Sequence, residues 1–146
     1  MNYARLASAA VVGTIVDGLY GFVVYGILLS GQFADFPGVY RSRETASAYM
    51  PYLFLGILVA MIAAAYIYAK GYEGGSGVVE GARFGAAVGV FAVGYDVIVN
   101  FATLNVGRRL AASVAIAAFV EWIIDGAVIG AVYKPAPGAT RRAAAV

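Results

Sequence analysis

The chain has no cysteine and no histidine among its 146 residues, and only 12% of them are charged. Without cysteine there is no disulfide, no thiolate metal site and no cysteine nucleophile. Without histidine the commonest metal ligand and general base is missing, which argues against haem, iron–sulfur and ordinary zinc chemistry. Soluble domains carry about 25% charged residues. This chain has half that, a 62% hydrophobic content and a net charge of only +2. The solvent this composition suits is lipid, and the charge is too small to argue for nucleic acid as a partner.

What is present in abundance is long apolar sequence. A helix needs about 20 apolar residues to cross the hydrocarbon core. Four stretches qualify, at about 6–29, 48–69, 82–104 and 110–133. They define one all-α transmembrane domain over 1–134, a four-helix bundle. Residues 135–146, which open on prolines at 135 and 137, read as a flexible C-terminal tail. The first stretch follows a basic start, MNYAR, but it is longer than a signal-peptide core and carries Asp17 at its middle. It reads as a retained span.

An even number of spans puts both termini on one side. That side carries Arg5, Lys70, Arg83, Lys134, Arg141 and Arg142, against Arg41, Arg43, Arg108 and Arg109 on the other. The excess of basic residues predicts cytoplasmic termini in a cell inner membrane. Tyr49, Tyr52 and Phe54 at one end of the second span, with Tyr66, Tyr68 and Tyr72 at the other, form an aromatic belt. The second and fourth spans both finish apolar, then Tyr, then Lys, and the first and third each hold glycines and a central Asp. Two duplicated helical hairpins would give this pattern, and so would convergence on a shared membrane composition.

The residues that carry chemistry are acids in the wrong solvent. Asp17, Asp96 and Glu121 lie near the centres of the first, third and fourth spans, with Asp125 one turn beyond Glu121, and no Lys or Arg shares their depth. A charged side chain at the bilayer centre costs about 2.5–3.5 kcal/mol on insertion scales. Facing the bundle interior or a wet cavity avoids much of that cost, and some of the carboxyls are expected to be protonated. Helical spacing supports convergence. Thr14, Asp17, Gly18, Gly21 and Tyr25 share a face of the first span; Gly85, Gly89, Asp96, Asn100 and Thr103 share one of the third; Glu121 and Asp125 point the same way on the fourth. Asp17, Asp96, Glu121 and Asp125, with Asn100 and Tyr25 as hydrogen-bonding neighbours, are therefore the candidate proton- or cation-binding residues. No nucleophile constellation accompanies them, so no catalytic residue, resident metal or cofactor is expected.

Gly81, Gly85 and Gly89 recur every four residues, as do Gly126 and Gly130. Small residues at this spacing let helix backbones approach closely, against a neighbouring helix, a second copy or another subunit. Glu80 and Arg83 are placed for an i,i+3 ion pair. In the longest connection, Phe33, Phe36 and Tyr40 rest on the membrane surface or cover the bundle, and Arg41 and Arg43 anchor at the interface. Trp122 faces lipid or a partner.

The segments YGILL (Tyr25 to Leu29), LGILVAMIAAAYIYAK (Leu55 to Lys70), GARFGAAVG with GYD (Gly81 to Gly89, Gly94 to Asp96) and DGAVIGAVYK (Asp125 to Lys134) carry a resemblance. Over about residues 10–134 the chain resembles small four-helix bacterial membrane proteins of a domain-of-unknown-function family. The resemblance implies four helices and no particular activity. Two functional classes follow from the residues: a small proton- or cation-coupled transporter or permeation element, or a non-catalytic auxiliary subunit or lipid-binding membrane protein. Its partners would be the lipid bilayer and either a second copy or a larger membrane complex.

Overall fold

A computed structural model describes residues 1–133; the predicted tail, with Lys134, Arg141 and Arg142, lies outside the described residues. The described chain is helical. Helix α1 (Tyr3–Val23) runs on as a π-helical turn, Val24–Leu28. Two short helices follow, α2 (Ser30–Ala34) and α3 (Arg43–Ala46), before a 3₁₀ turn, Ser47–Tyr49, leads into α4 (Met50–Gly71). Helix α5 (Gly77–Ala92) continues through a second π-helical segment, Val93–Ile98, into α6 (Val99–Thr103), and α7 (Arg108–Val132) completes the set. Four continuous helical stretches, Tyr3–Leu28, Glu44–Gly71, Gly77–Thr103 and Arg108–Val132, are long and apolar enough to cross a membrane. The molecule is an all-α four-helix bundle.

Local signals set the helix ends. The Asn2 side chain accepts from the Arg5 amide, 3.1 Å, and satisfies one of the free donors at the start of α1. Pro51 occupies the first turn of α4, where its missing N–H costs nothing. The connection from α4 to α5 turns on Gly74, whose φ of 89° is open to glycine but strained for other residues. That connection is pinned by Glu80, whose carboxylate accepts from the Glu73 amide at 2.6 Å and the Gly75 amide at 3.0 Å. Glu80 therefore serves the loop instead of pairing with Arg83, because two backbone donors in fixed positions outcompete one exposed guanidinium.

Helices α1 and α7 lie side by side at the centre. Helix α4 packs on the outer side of α1, and α5 packs on α7. The two lateral contacts differ in kind. Between α1 and α4, side chains fill glycine notches: a Cβ on Gly13 would stand 3.0 Å from the Met61 sulfur, and one on Gly18 would stand 2.8 Å from the Phe54 ring. Between α5 and α7 the backbones themselves touch. A Cβ on Gly81 or Gly85 would collide with the carbonyl oxygens of Gly126 and Trp122, and one on Gly77 with that of Gly130. The converse positions are as tight: a Cβ on Gly126 would sit 2.6 Å from the Gly85 Cα. Gly77, at the first position of α5, joins this zipper; read as part of the preceding loop, it is not flagged by sequence spacing. Gly89 abuts Phe119 and Trp122, so Trp122 is half-buried in this interface.

The apolar core lies toward the end of the bundle that holds the N-terminus. Ala9, Ala10, Met61, Ala65 and Ile129 are at most 1% exposed. Beyond them Tyr68 meets Tyr72, Phe84 and Tyr133 at centroid distances of 6.0, 5.6 and 6.0 Å. At the other end Arg41 lies 3.6 Å over the Tyr49 ring. Large apolar side chains such as Leu19, Phe22, Phe91 and Ile116 stand on the outside, where a bilayer would receive them.

Candidate functional site

Three of the four mid-span acids come together where α1 crosses α7. Asp125 is 1% exposed, and neither of its carboxyl oxygens has a hydrogen-bond donor. The acid that faces it across the α1–α7 contact is Asp17. As two carboxylates they have no donor between them. A shared proton or a cation would supply what the pair lacks.

Glu121, one turn before Asp125 on α7, is half-buried, and its Oε2 accepts from the Tyr25 hydroxyl at 2.8 Å. Tyr20 stands between α1 and α7, donating to the Ala117 carbonyl at 2.9 Å with its ring edge-on to Tyr25 at 6.3 Å. Gly21 lies beside the pair: a Cβ there would be in ordinary contact with Glu121 Oε1 at 4.0 Å and the Tyr25 ring at 3.7 Å. The π-helical turn, closed by the bond from the Leu29 amide to the Val24 carbonyl at 2.8 Å, begins at Val24 and includes Tyr25. Such turns insert an extra residue and are common at functional positions. From Tyr25 a chain of edge-to-face rings, Phe33 at 6.5 Å and then Tyr40 at 4.8 Å, leads out to the loop after α1.

Asp96 and Asn100 are not in this cluster. Both are exposed, and they bond to each other, Asn100 Nδ2 to Asp96 Oδ1 at 2.8 Å. The cause is the second π-helical segment, Val93–Ile98. Sequence spacing put Gly85, Gly89, Asp96 and Asn100 on one face by counting 100° per residue. The wider π turn makes the helix fall behind that count, by about 100° for each inserted residue. Gly85 and Gly89 accordingly face α7 while Asp96 faces away. The third span thus contributes no acid to the α1–α7 contact. Asp96 bears instead on the first loop: burial, and then its negative charge, hold the Tyr40 phenol above the ordinary value of 10.0. Thr14 and Thr103, also on the predicted polar faces, bond to carbonyls of their own helices, Ala10 and Val99.

The loop after α1 closes over this end of the bundle. Gln32 accepts from the Ser113 hydroxyl at 3.1 Å, tying α2 to α7, and Phe36 packs on Gly107. Tyr20 is a residue that spacing did not select. A tyrosine one turn from Asp17 and five residues before Tyr25 is the signal that would have found it. Among the described residues, no group of three or more carboxylates, histidines or cysteines is arranged to hold a metal ion. No family model, curated protein or solved structure matches the chain.

Proposed function

We propose that this multi-pass membrane protein is a small proton- or cation-coupled transporter or permeation element, with Asp17, Glu121 and Asp125 as its charge-handling groups. One observation carries the reading. A fully buried acid, Asp125, faces a second acid and has no donor from anywhere else in the described chain. Buried polar groups in folded proteins nearly always have partners, and each exception asks for an explanation. Ionisable groups at membrane depth are costly and are kept where ions or protons move. The missing partner here is a positive charge brought from outside the chain.

The auxiliary-subunit reading relied on free glycine faces for docking. Gly81, Gly85, Gly126 and Gly130 are occupied within the chain by the α5–α7 contact, so that support is lost. The 6:4 excess of Lys and Arg on the side of the termini favours a cytoplasmic-membrane location with both termini inside.

The test is flux into liposomes bearing the purified protein, read with an internal pH-sensitive dye under an imposed proton or cation gradient. Wild-type protein should carry flux that Asp125→Asn abolishes. Flux that survives Asp17→Asn, Glu121→Gln and Asp125→Asn combined would refute the proposal.

A further inference from the structure

Asp125 is the innermost member of the carboxyl cluster, at 1% exposure, and its two oxygens lack a donor. Asp17 faces it from α1, and Glu121 lies one turn away on α7. Both are half-buried, so they are its links to the outside. The walls limit what can stand between Asp17 and Asp125. Gly13 lies one turn before Asp17, and a Cβ added there would stand 3.0 Å from the Met61 sulfur and 3.9 Å from the Ile129 side chain. Helix α4 presents Phe54, Ile57 and Met61 along this stretch, and α5 meets α7 through Gly81 and Gly85. None of these residues can titrate. Besides Asp17, α1 brings Tyr20 and Tyr25, whose hydroxyls are taken by the Ala117 carbonyl and by Glu121.

We infer that the positive charge held between Asp17 and Asp125 is a proton, not a metal or organic cation. The inference rests on the proposed charge-handling role and names the ion for it. A hard metal cation takes about six to eight oxygen ligands. The pair offers two carboxyls, and the other oxygens nearby are committed. Glu121 Oε2 accepts from Tyr25, the Thr14 hydroxyl donates to the Ala10 carbonyl, and the main-chain carbonyls of α1 and α7 at this level belong to α-helix. Asp125 has too little exposure for outside water to complete a shell. An organic cation would need a cavity beside Asp125, where Met61 and Ile129 are fully buried. A proton needs neither space nor further ligands. When one is shared, the hydroxyl of the protonated acid donates to the carboxylate of the other, and the donor missing at Asp125 is supplied. Glu121, one turn away on the same face of α7, is placed to pass that proton on.

Infrared difference spectra of the protein in nanodiscs follow carboxyl protonation against pH, and Asp125→Asn identifies the signal of the pair. The titration is run in N-methylglucamine chloride. It is repeated with sodium, potassium, magnesium or tetramethylammonium chloride raised a hundredfold at constant ionic strength. A cation that replaces the proton one for one lowers the midpoint by up to about two pH units over that range, because the bound cation excludes the proton. The expected result is a midpoint that none of the four salts moves. A midpoint that falls as any of them is raised overturns the inference, and so does a carboxyl titration that Asp125→Asn leaves intact. Liposome flux separates this result from the proposed function. Proton-driven flux is expected with no metal cation in either compartment and a permeant anion to balance charge. Flux that requires sodium, potassium or magnesium overturns the proton assignment and leaves the transport reading standing. An unmoved midpoint in a protein that carries no flux upholds the proton at the pair and overturns the transport reading.

Discussion

Replacing Gly126 by alanine should drive α5 and α7 apart. The new Cβ would lie 2.6 Å from the Gly85 Cα and closer still to the Gly81 carbonyl oxygen. Carbon atoms rest at about 3.5–4.0 Å, so the helices must separate by about 1 Å along the whole zipper. Overpacking of a tight core costs about 1–3 kcal/mol. Here both sides of the clash are backbone and cannot rotate away, so the upper end, about 3 kcal/mol, is expected. Gly56 is the internal control, because nothing lies within 4 Å of a Cβ built there. Gly56→Ala removes a flexible residue from a helix interior and should stabilise by about 0.5–1 kcal/mol. Thermal or detergent unfolding followed by Trp122 fluorescence, from within the α5–α7 interface, compares the two. The opposite signs are the prediction. Equal effects of the two substitutions, or a stabilised Gly126→Ala protein, would refute the backbone-on-backbone reading.

Three further outcomes follow from the same geometry. Asp125→Val, an apolar side chain closer in size to aspartate than leucine and with no polar atoms to strand, should raise stability by about 1–3 kcal/mol in unfolding experiments while abolishing flux, since the acid is kept at a cost to the fold. Tyr25→Phe removes the donor to Glu121; it should cost about 1 kcal/mol or a little more and change the pH profile of flux, whereas Tyr95→Phe, at an exposed ring, should change neither. Glu80→Ala frees the Glu73 and Gly75 amides, and hydrogen exchange at those two positions should rise as the α4–α5 connection loosens, with a stability loss of roughly 1–2 kcal/mol.

Much of the fold was legible because lipid imposes so strong a pattern. Apolar runs of the right length marked four spans, and breaks near Gly71 and Asn105 marked two of the turns. The acids of α1 and α7 stood out because a carboxyl at mid-membrane has no neutral reason to be there. Two π-helical segments were not legible. Nothing in VYGIL or VGYDVI distinguishes a π turn from an α turn by composition, yet the second moves Asp96 to another face and the first carries Tyr25, which holds Glu121. The destination of the glycines was only half legible. A four-residue spacing announces a close backbone contact but does not say with which helix, and the partner proved to be the preceding span with Gly77 as an additional member. Glu80 shows a third limit: spacing identified a partner in Arg83, while the loop amides, invisible to side-chain pattern, took the carboxylate.

The central claim is that Asp17 and Asp125 act as one unit that waits for a positive charge. Infrared difference spectra of reconstituted protein, recorded as the sample is titrated with acid, read carboxyl protonation directly. Coupled acids titrate as a pair. The account predicts a carboxyl signal that either Asp17→Asn or Asp125→Asn removes or displaces as a whole, and that Asp96→Asn leaves untouched. Two independent signals, each lost with only its own residue, would contradict it.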